Sequence, residues 1–406
     1  MNGLNFQNKN DHELDSILGE IDVKKIFKQV AITTVSALFW ASAGLAQAQN
    51  VKIVGLVELT GTGATSGTNF DNGIKLAVKE INASGGILGR KIDYQSNDTQ
   101  SNPGVSKGLA EKAVDDGAYV VMGPVFSGSI LVSMAVTKNA EIPNFTGGEA
   151  AAITQQGNPY IFRTSFTQST AMPKVANYIK DRLKAKVVDL IYVNNDFGKG
   201  GRDLIIKALD AKGIKIGADI STEPGQIDFS AAVIKAKQSN GDALFVYTNE
   251  EESARALREL RKEGYKKPII GETVLTSQKV IELAGDAANG AIAHVGLTAD
   301  APQATVKKFD QAYQAEYHSR TDHNGLKGYS AMYIVKAVTE KLGKFDSKAF
   351  ALAMKGLSLS AKTYPGILLD LSFDANGDLD RESYMTTVVK GQQVVSATLP
   401  AIGKAK

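Results

Sequence analysis

The 406-residue chain contains no cysteine, a single tryptophan and four histidines. The missing thiols exclude disulfides, a thiolate nucleophile and an attachment point for a lipid anchor after export. His12, His294, His318 and His323 are too few and too scattered for a metal motif or a catalytic triad, and no G-x-S-x-G elbow accompanies them. Charge of one sign is scarce as well: 46 basic against 43 acidic residues leave a net +3, which implies no nucleic-acid partner. No apolar run reaches the ~20 residues of a membrane span. The glycine-rich stretch GTGATSG (61–67) has neither G-x-G-x-x-G nor G-x-x-x-x-G-K-[ST] spacing, so no nucleotide cofactor is implied. FDANGDLDRE (373–382) begins like a calcium loop, with Asp374, Asn376 and Asp378 at alternate positions. Leu379 then stands where such a loop needs glycine, and Met385 where it needs glutamate. A plain Asn-Gly turn is the reading, and no metal, cofactor or enzyme active site is expected.

What is present begins with a leader. Lys24, Lys25 and Lys28 precede the apolar run VAITTVSALFW, and Ala46-Gln47-Ala48 fits the small-x-small cleavage pattern, so 23–48 reads as a signal peptide cleaved after Ala48. The preceding 1–22 carries five acidic residues against one lysine, the wrong sign for a signal peptide, and reads as a mis-assigned extension with translation starting at Val23. Export without a lipid anchor places the protein free in a periplasm. With 43% hydrophobic and 22% charged residues the whole chain is globular in composition, and the part after the leader is long enough for two cores.

From Asn50 onward short apolar runs alternate with amphipathic stretches. VKIVGLV (51–57) reads as a strand, 71–86 as a helix closed by glycine, and 90–98 as the next strand; the rhythm continues to 160–166 and restarts at 172. It persists through VVDLIYVN (187–194), ALFVYT (243–248) and PIIGE (268–272). Two helical stretches beginning at 304 and 327, then strands near 367–374, 384–391 and 393–399, close the chain. The pattern is that of two α/β lobes with parallel sheets, and no low-complexity linker separates them.

The stretch KEINASGGILGRKIDYQSNDTQSNPGVSKGLAEKAVDDGAYVVMGPVFSG (79–128), with VNNDFGKGGRD, GQIDFSAAVIKAK, the ARALRELRKEG helix and the SFDANGDL turn, resembles the branched-chain amino-acid (Leu/Ile/Val) binding proteins of ABC importers. The resemblance covers the chain from about Asn50 to its carboxyl end. It implies a type I periplasmic binding fold, two Rossmann-like lobes joined by three crossovers, with lobe 1 at 49–165 plus 297–378 and lobe 2 at 166–296 plus 379–406. It also implies a monomer that captures a small ligand in the cleft and delivers it to permease subunits in the inner membrane.

In open α/β sheets ligands sit beyond the carboxyl ends of the strands. Here those ends are ELTGTGATSG, GPVFSGS, FTGGEA, VNNDFG, YTNEEE and GETVLT. Aligned to the family, Ser127 takes the place of the serine that binds the ligand carboxylate, with Val125 as a backbone contact. Gly147 and Glu149 fall on the family's small residue and threonine. An ionised glutamate cannot donate, so the N–H groups of Gly147 and Gly148 are expected to hold the anion with Ser127 while Glu149 faces a cation. Asn249 stands where the family has a closing tyrosine, with Glu250 beside it, and Glu272 or Thr273 where the family has a glutamate for the ligand ammonium. Phe197 and Ser66 replace aromatic walls. Without the resemblance Ser127 is a turn serine, Glu149 an acid at a helix N-terminus, and Glu251 and Glu252 a solvated first turn. Glu149, Glu272 and Glu250 together imply an amino acid or another amine-bearing ligand, because an amine-free ligand would leave a buried carboxylate unpaired. The competing readings are an aromatic or other organic acid, and a ligand-sensing domain of a receptor.

Overall fold

A computed structural model describes residues 49–401. The expected leader and extension, 1–48, and the last five residues lie outside that range. The first apolar run forms β1 (Val51–Val57), followed by α1 (Ala64–Ala83), β2 (Ile92–Asp98), α2 (Pro103–Asp115), β3 (Val120–Met122), α3 (Ser127–Asn139), β4 (Asn144–Thr146) and β5 (Ile161–Arg163). The strands are parallel, in the order β2-β1-β3-β4-β5. The chain then crosses through α4 (Gln168–Tyr178) to β6 (Val187–Val193), α5 (Asp196–Asp210), β7 (Lys215–Thr222), α6 (Ser230–Gln238), β8 (Ala243–Tyr247), α7 (Glu250–Lys262), β9 (Ile269–Glu272), α8 (Gln278–Ala284) and β10 (Ile292–Val295).

This second sheet repeats the order of the first, β7-β6-β8-β9-β10, before two antiparallel strands extend it. Between β10 and those strands the chain returns to the first lobe with α9 (Ala304–Tyr317), α10 (His323–Leu342), α11 (Ser347–Met354) and a small sheet of β11 (Ser358–Leu359), β12 (Leu371–Phe373) and β13 (Leu379–Asp380). The third crossing follows Asp380 and leads to β14 (Ser383–Val389) and β15 (Gln392–Leu399). Both sheets therefore reverse direction beside their first strand, between β1 and β3 and between β6 and β8, and an α/β fold opens its binding crevice at those points.

Two departures from the periodicity reading bear on the site. The helix expected from 71 starts at Ala64, because Gly67 lets the first turn lie on β1: a β-carbon there would be 2.1 Å from the Glu58 carbonyl oxygen. Close packing thus overrides the weak helix propensity of the Thr, Ser and Gly residues in that turn. The second is α10, which starts four residues before 327 and lies against α1 at glycine distance. A β-carbon on Gly73 would sit 2.0 Å from the Gly325 carbonyl oxygen, and one on Gly328 2.2 Å from that of Phe70. The eight-residue α11, capped by Asp346 accepting the Ala349 N–H at 2.9 Å, went unread in the sequence. At 374–378 the chain makes a turn in which Asp374 accepts the N–H groups of Asn376 and Asp378, and the Asp378 carboxylate pairs with Arg163 at 2.7 Å.

Candidate functional site

Six helices, α1, α2, α3, α5, α7 and α10, begin at a cavity of about 220 Å³ between the lobes. Each start places backbone N–H groups toward the cavity, and most are already occupied. Asn195 accepts from the Gly198 N–H (2.8 Å) on α5, Asp322 from the Asn324 N–H (2.8 Å) on α10, and α7 carries a capping box between Asn249 and Glu252. Like α1, with Gly63 at its N-cap, helix α3 differs, because Phe126 at its own N-cap has no side chain able to accept. Its orientation is set from below: Glu58, fully buried at the end of β1, accepts the N–H groups of Val125 (3.1 Å) and Phe126 (3.0 Å) across the switch point. Burial pushes the Glu58 carboxyl up to about 7 despite those bonds.

The α3 N-terminus is one electropositive end of the cavity. Ser127 Oγ accepts the Ala150 N–H at 3.3 Å, which leaves its proton for a ligand, and Ser129 Oγ, buried and lining the cavity, has no partner among the described residues. The Gly147 N–H is bonded to the Pro124 carbonyl (3.1 Å), which removes it from the set of anion donors expected from the sequence.

Glu149 lines the cavity but does not wait for a ligand cation. Lys327, buried on α10, places Nζ 3.0 Å from Glu149 Oε1 and also donates to the Gly147 carbonyl (3.2 Å). On the far side the Tyr247 hydroxyl donates to Glu149 Oε2 at 3.5 Å and itself accepts from Gln168 Nε2 at 3.0 Å. Burial, with the nearby Glu272 carboxyl opposing Lys327, pushes Glu149 up to about 7. Glu272 is raised too, first by burial. Lys327 is the cation that offsets the charge of this carboxyl pair. The expectation that Glu149 requires an amine on the ligand is overturned, because the chain supplies the ammonium itself.

Glu272 and Thr273 do not line the cavity. Glu272 accepts from Thr273 Oγ1 (2.7 Å) and lies 3.1 Å from His294 Nδ1, while Val274 is the residue of that segment that reaches the cavity wall. Burial holds His294 down at about 3, so its contact with Glu272 is a neutral hydrogen bond and not an ion pair. The remaining candidates, Ser66, Val125, Ser127, Gly147, Gly148, Glu149, Phe197, Asn249 and Glu250, do line one cavity. Phe197, which lines the cavity with Phe126 and Val125, is backed by Tyr247, their ring centroids 4.2 Å apart.

Glu250 is the carboxyl that stays uncompensated. It is 3% exposed at the first position of α7 and accepts from Ser66 Oγ (2.8 Å) and Asn324 Nδ2 (3.4 Å). No lysine or arginine contacts it among the described residues. Burial, then Asp322 and Glu251, push it up to about 8. Its neighbours are not the solvated turn read from sequence. Glu252 is 2% exposed and accepts the N–H groups of Asn249 (2.8 Å) and Gly225 (2.6 Å), and Glu251 accepts from Thr65 Oγ1 (2.6 Å) across the cleft. The sequence reading passed over Lys327, His323, Asn324, Phe126 and Ser129. For Lys327 a signal existed: its helical neighbours His323, Asn324, Ser330 and Ala331 carry no fixed charge, an unusual stripe for an exposed lysine.

Against known proteins, a profile described as periplasmic binding protein matches residues 50–393. The chain belongs to this family. Among curated relatives, the Leu/Ile/Val-binding protein BraC3 of Rhizobium johnstonii is 28% identical over 372 residues, 91% of this chain and 100% of the relative. The leucine-, isoleucine-, valine-, threonine-, and alanine-binding protein of Pseudomonas aeruginosa is 26% identical over 333 residues, 82% and 88% of the two chains. Among solved structures, the branched-chain amino acid transporter substrate-binding protein LivJ of Streptococcus pneumoniae, in complex with isoleucine, superposes with TM-score 0.77 at 26% identity over 87% of this chain and 99% of its own. A solute-binding protein of an ABC transporter from Rhodopseudomonas palustris, in complex with 3,4-dihydroxy benzoic acid, gives TM-score 0.80 at 24% identity, 88% and 99%. The type I periplasmic binding fold is therefore shared, and the chain is a periplasmic binding protein, not an enzyme.

Proposed function

We propose that this periplasmic binding protein captures a small amino acid or a related amine-bearing carboxylate and delivers it to the permease of an ABC importer. The observation that carries the reading is Glu250, a buried carboxyl in the cavity wall with no cation of its own. A ligand carboxylate at the uncapped α3 start, with Ser127, and a ligand ammonium at Glu250 would place opposite charges against opposite ends of one cavity. Export of the chain with cleavage after Ala48 belongs to the same proposal.

A second reading has its own support: Lys327 neutralises the Glu149–Glu272 pair, so with Glu250 protonated the cavity also accepts an amine-free aromatic acid without an unpaired charge. Titration calorimetry of the 49–406 chain, stripped of carried-over ligand, against amino acids and benzoates tests the two. Saturable binding confined to amine-bearing acids, lost in Glu250→Gln, supports the first. Binding confined to amine-free acids and unaffected by that substitution establishes the second.

A further inference from the structure

The cavity contains a polar end that neither a carboxylate nor an ammonium uses. Asn249 at the N-cap of α7 and His323 at the first position of α10 both line it, 6% and 3% exposed, and Asn324 Nδ2 donating to Glu250 at 3.4 Å holds the two helix starts together. The capping box fixes the Asn249 amide, since its oxygen faces the Glu252 N–H and its nitrogen forms the other branch. That nitrogen, Asn249 Nδ2, has no partner among the described residues, and neither does His323 Nδ1. Burial holds the His323 ring far below the usual histidine range, so it is a neutral ring that donates or accepts one hydrogen bond from either nitrogen.

Buried polar atoms without a partner are costly, and a binding site keeps them when the ligand completes them. A purely aliphatic or unsubstituted aromatic side chain would leave both buried atoms unpaired. We propose that Asn249 and His323 select a ligand whose side chain carries a hydroxyl or carbonyl oxygen, bonded by Asn249 Nδ2 and by the His323 ring. The inference rests on the reading of the cleft as a site for a small acid and sharpens it, because it separates polar from aliphatic members of that class.

The test uses matched pairs of similar shape, L-threonine against L-valine, L-asparagine against L-leucine, L-tyrosine against L-phenylalanine and 4-hydroxybenzoate against benzoate. Each is titrated calorimetrically into the ligand-stripped 49–406 chain, into Asn249→Ser and into His323→Phe. Serine still caps α7, so the first variant keeps the helix start while withdrawing the amide, and an unchanged melting temperature verifies its fold. The expected result is that the oxygen-bearing member of at least one pair binds roughly 10- to 100-fold tighter, and that the preference falls to near unity in each variant. Equal or tighter binding of the apolar member in every pair that binds overturns the inference while leaving the small-acid site standing. Failure of all eight compounds to bind overturns both.

Discussion

If Glu250 receives a ligand ammonium, it has to ionise to do so, and this makes affinity depend on pH in a direction that other ligands cannot produce. Burial pushes its carboxyl up to about 8, so the ligand-free protein holds a proton there near neutrality. The ionised fraction falls from about one half at pH 8 to about one hundredth at pH 6. An amino acid keeps both its charges over that range, so its affinity should drop about 50-fold on going from pH 8 to pH 6. At 1.36 kcal/mol per ten-fold this is about 2.3 kcal/mol. Calorimetry in two buffers of different ionisation enthalpy reads the same event independently: close to one proton released per ligand bound at pH 6 and about one half at pH 8. Glu250→Gln should remove both the slope and the proton release, and should weaken binding at pH 8 by about 3–5 kcal/mol through loss of one partner of a buried pair. Affinity that is flat or tighter toward pH 6, with no buffer-dependent heat, would refute the ammonium role and mark the ligand as an amine-free acid bound beside a protonated Glu250.

Three further outcomes follow from the same geometry. Lys327→Met removes the ammonium 3.0 Å from Glu149 and should destabilise the protein by about 3–5 kcal/mol at pH 8 but far less at pH 5, where Glu149, raised to about 7, holds a proton; urea melts at the two pH values check this. In the ligand-free protein Glu58 and Glu149 are raised to about 7 and Glu250 to about 8, above the unfolded value of about 4.3, so the native state binds more protons between those limits. Its stability should therefore fall as pH rises from 5 to 8, and the melting temperature of Glu250→Gln should fall less over the same window. Gly328→Ala would put a β-carbon 2.2 Å from the Phe70 carbonyl oxygen and push α10 off α1. The expected loss is about 1–3 kcal/mol in denaturant melts, with weakened ligand binding because His323 and Asn324 move with the helix.

The alternation of apolar and amphipathic stretches carried most of the fold, since the inner parallel strands are buried on both faces and most helices on one. It carried the location of the cavity too, because strand ends in a doubly wound sheet are readable as polar loops after apolar runs. It did not carry the start of α1, where contact with the Glu58 backbone outweighs propensity, nor the role of α10. That helix reaches the cleft after the second crossing and follows no strand, so a search along strand ends passes over it. Its Lys327 lies 178 residues from Glu149 in sequence and 3.0 Å from it in space. A buried acid seen in sequence states only that a partner is required, and whether the ligand or the chain provides it is settled by tertiary placement. Glu149 is the case in which the chain provides it, and Glu250 on the same cavity wall is proposed to take it from the ligand. The first has its ammonium built in, so specificity must be sought at the second, where the chain offers hydrogen bonds from Ser66 and Asn324 but no countercharge.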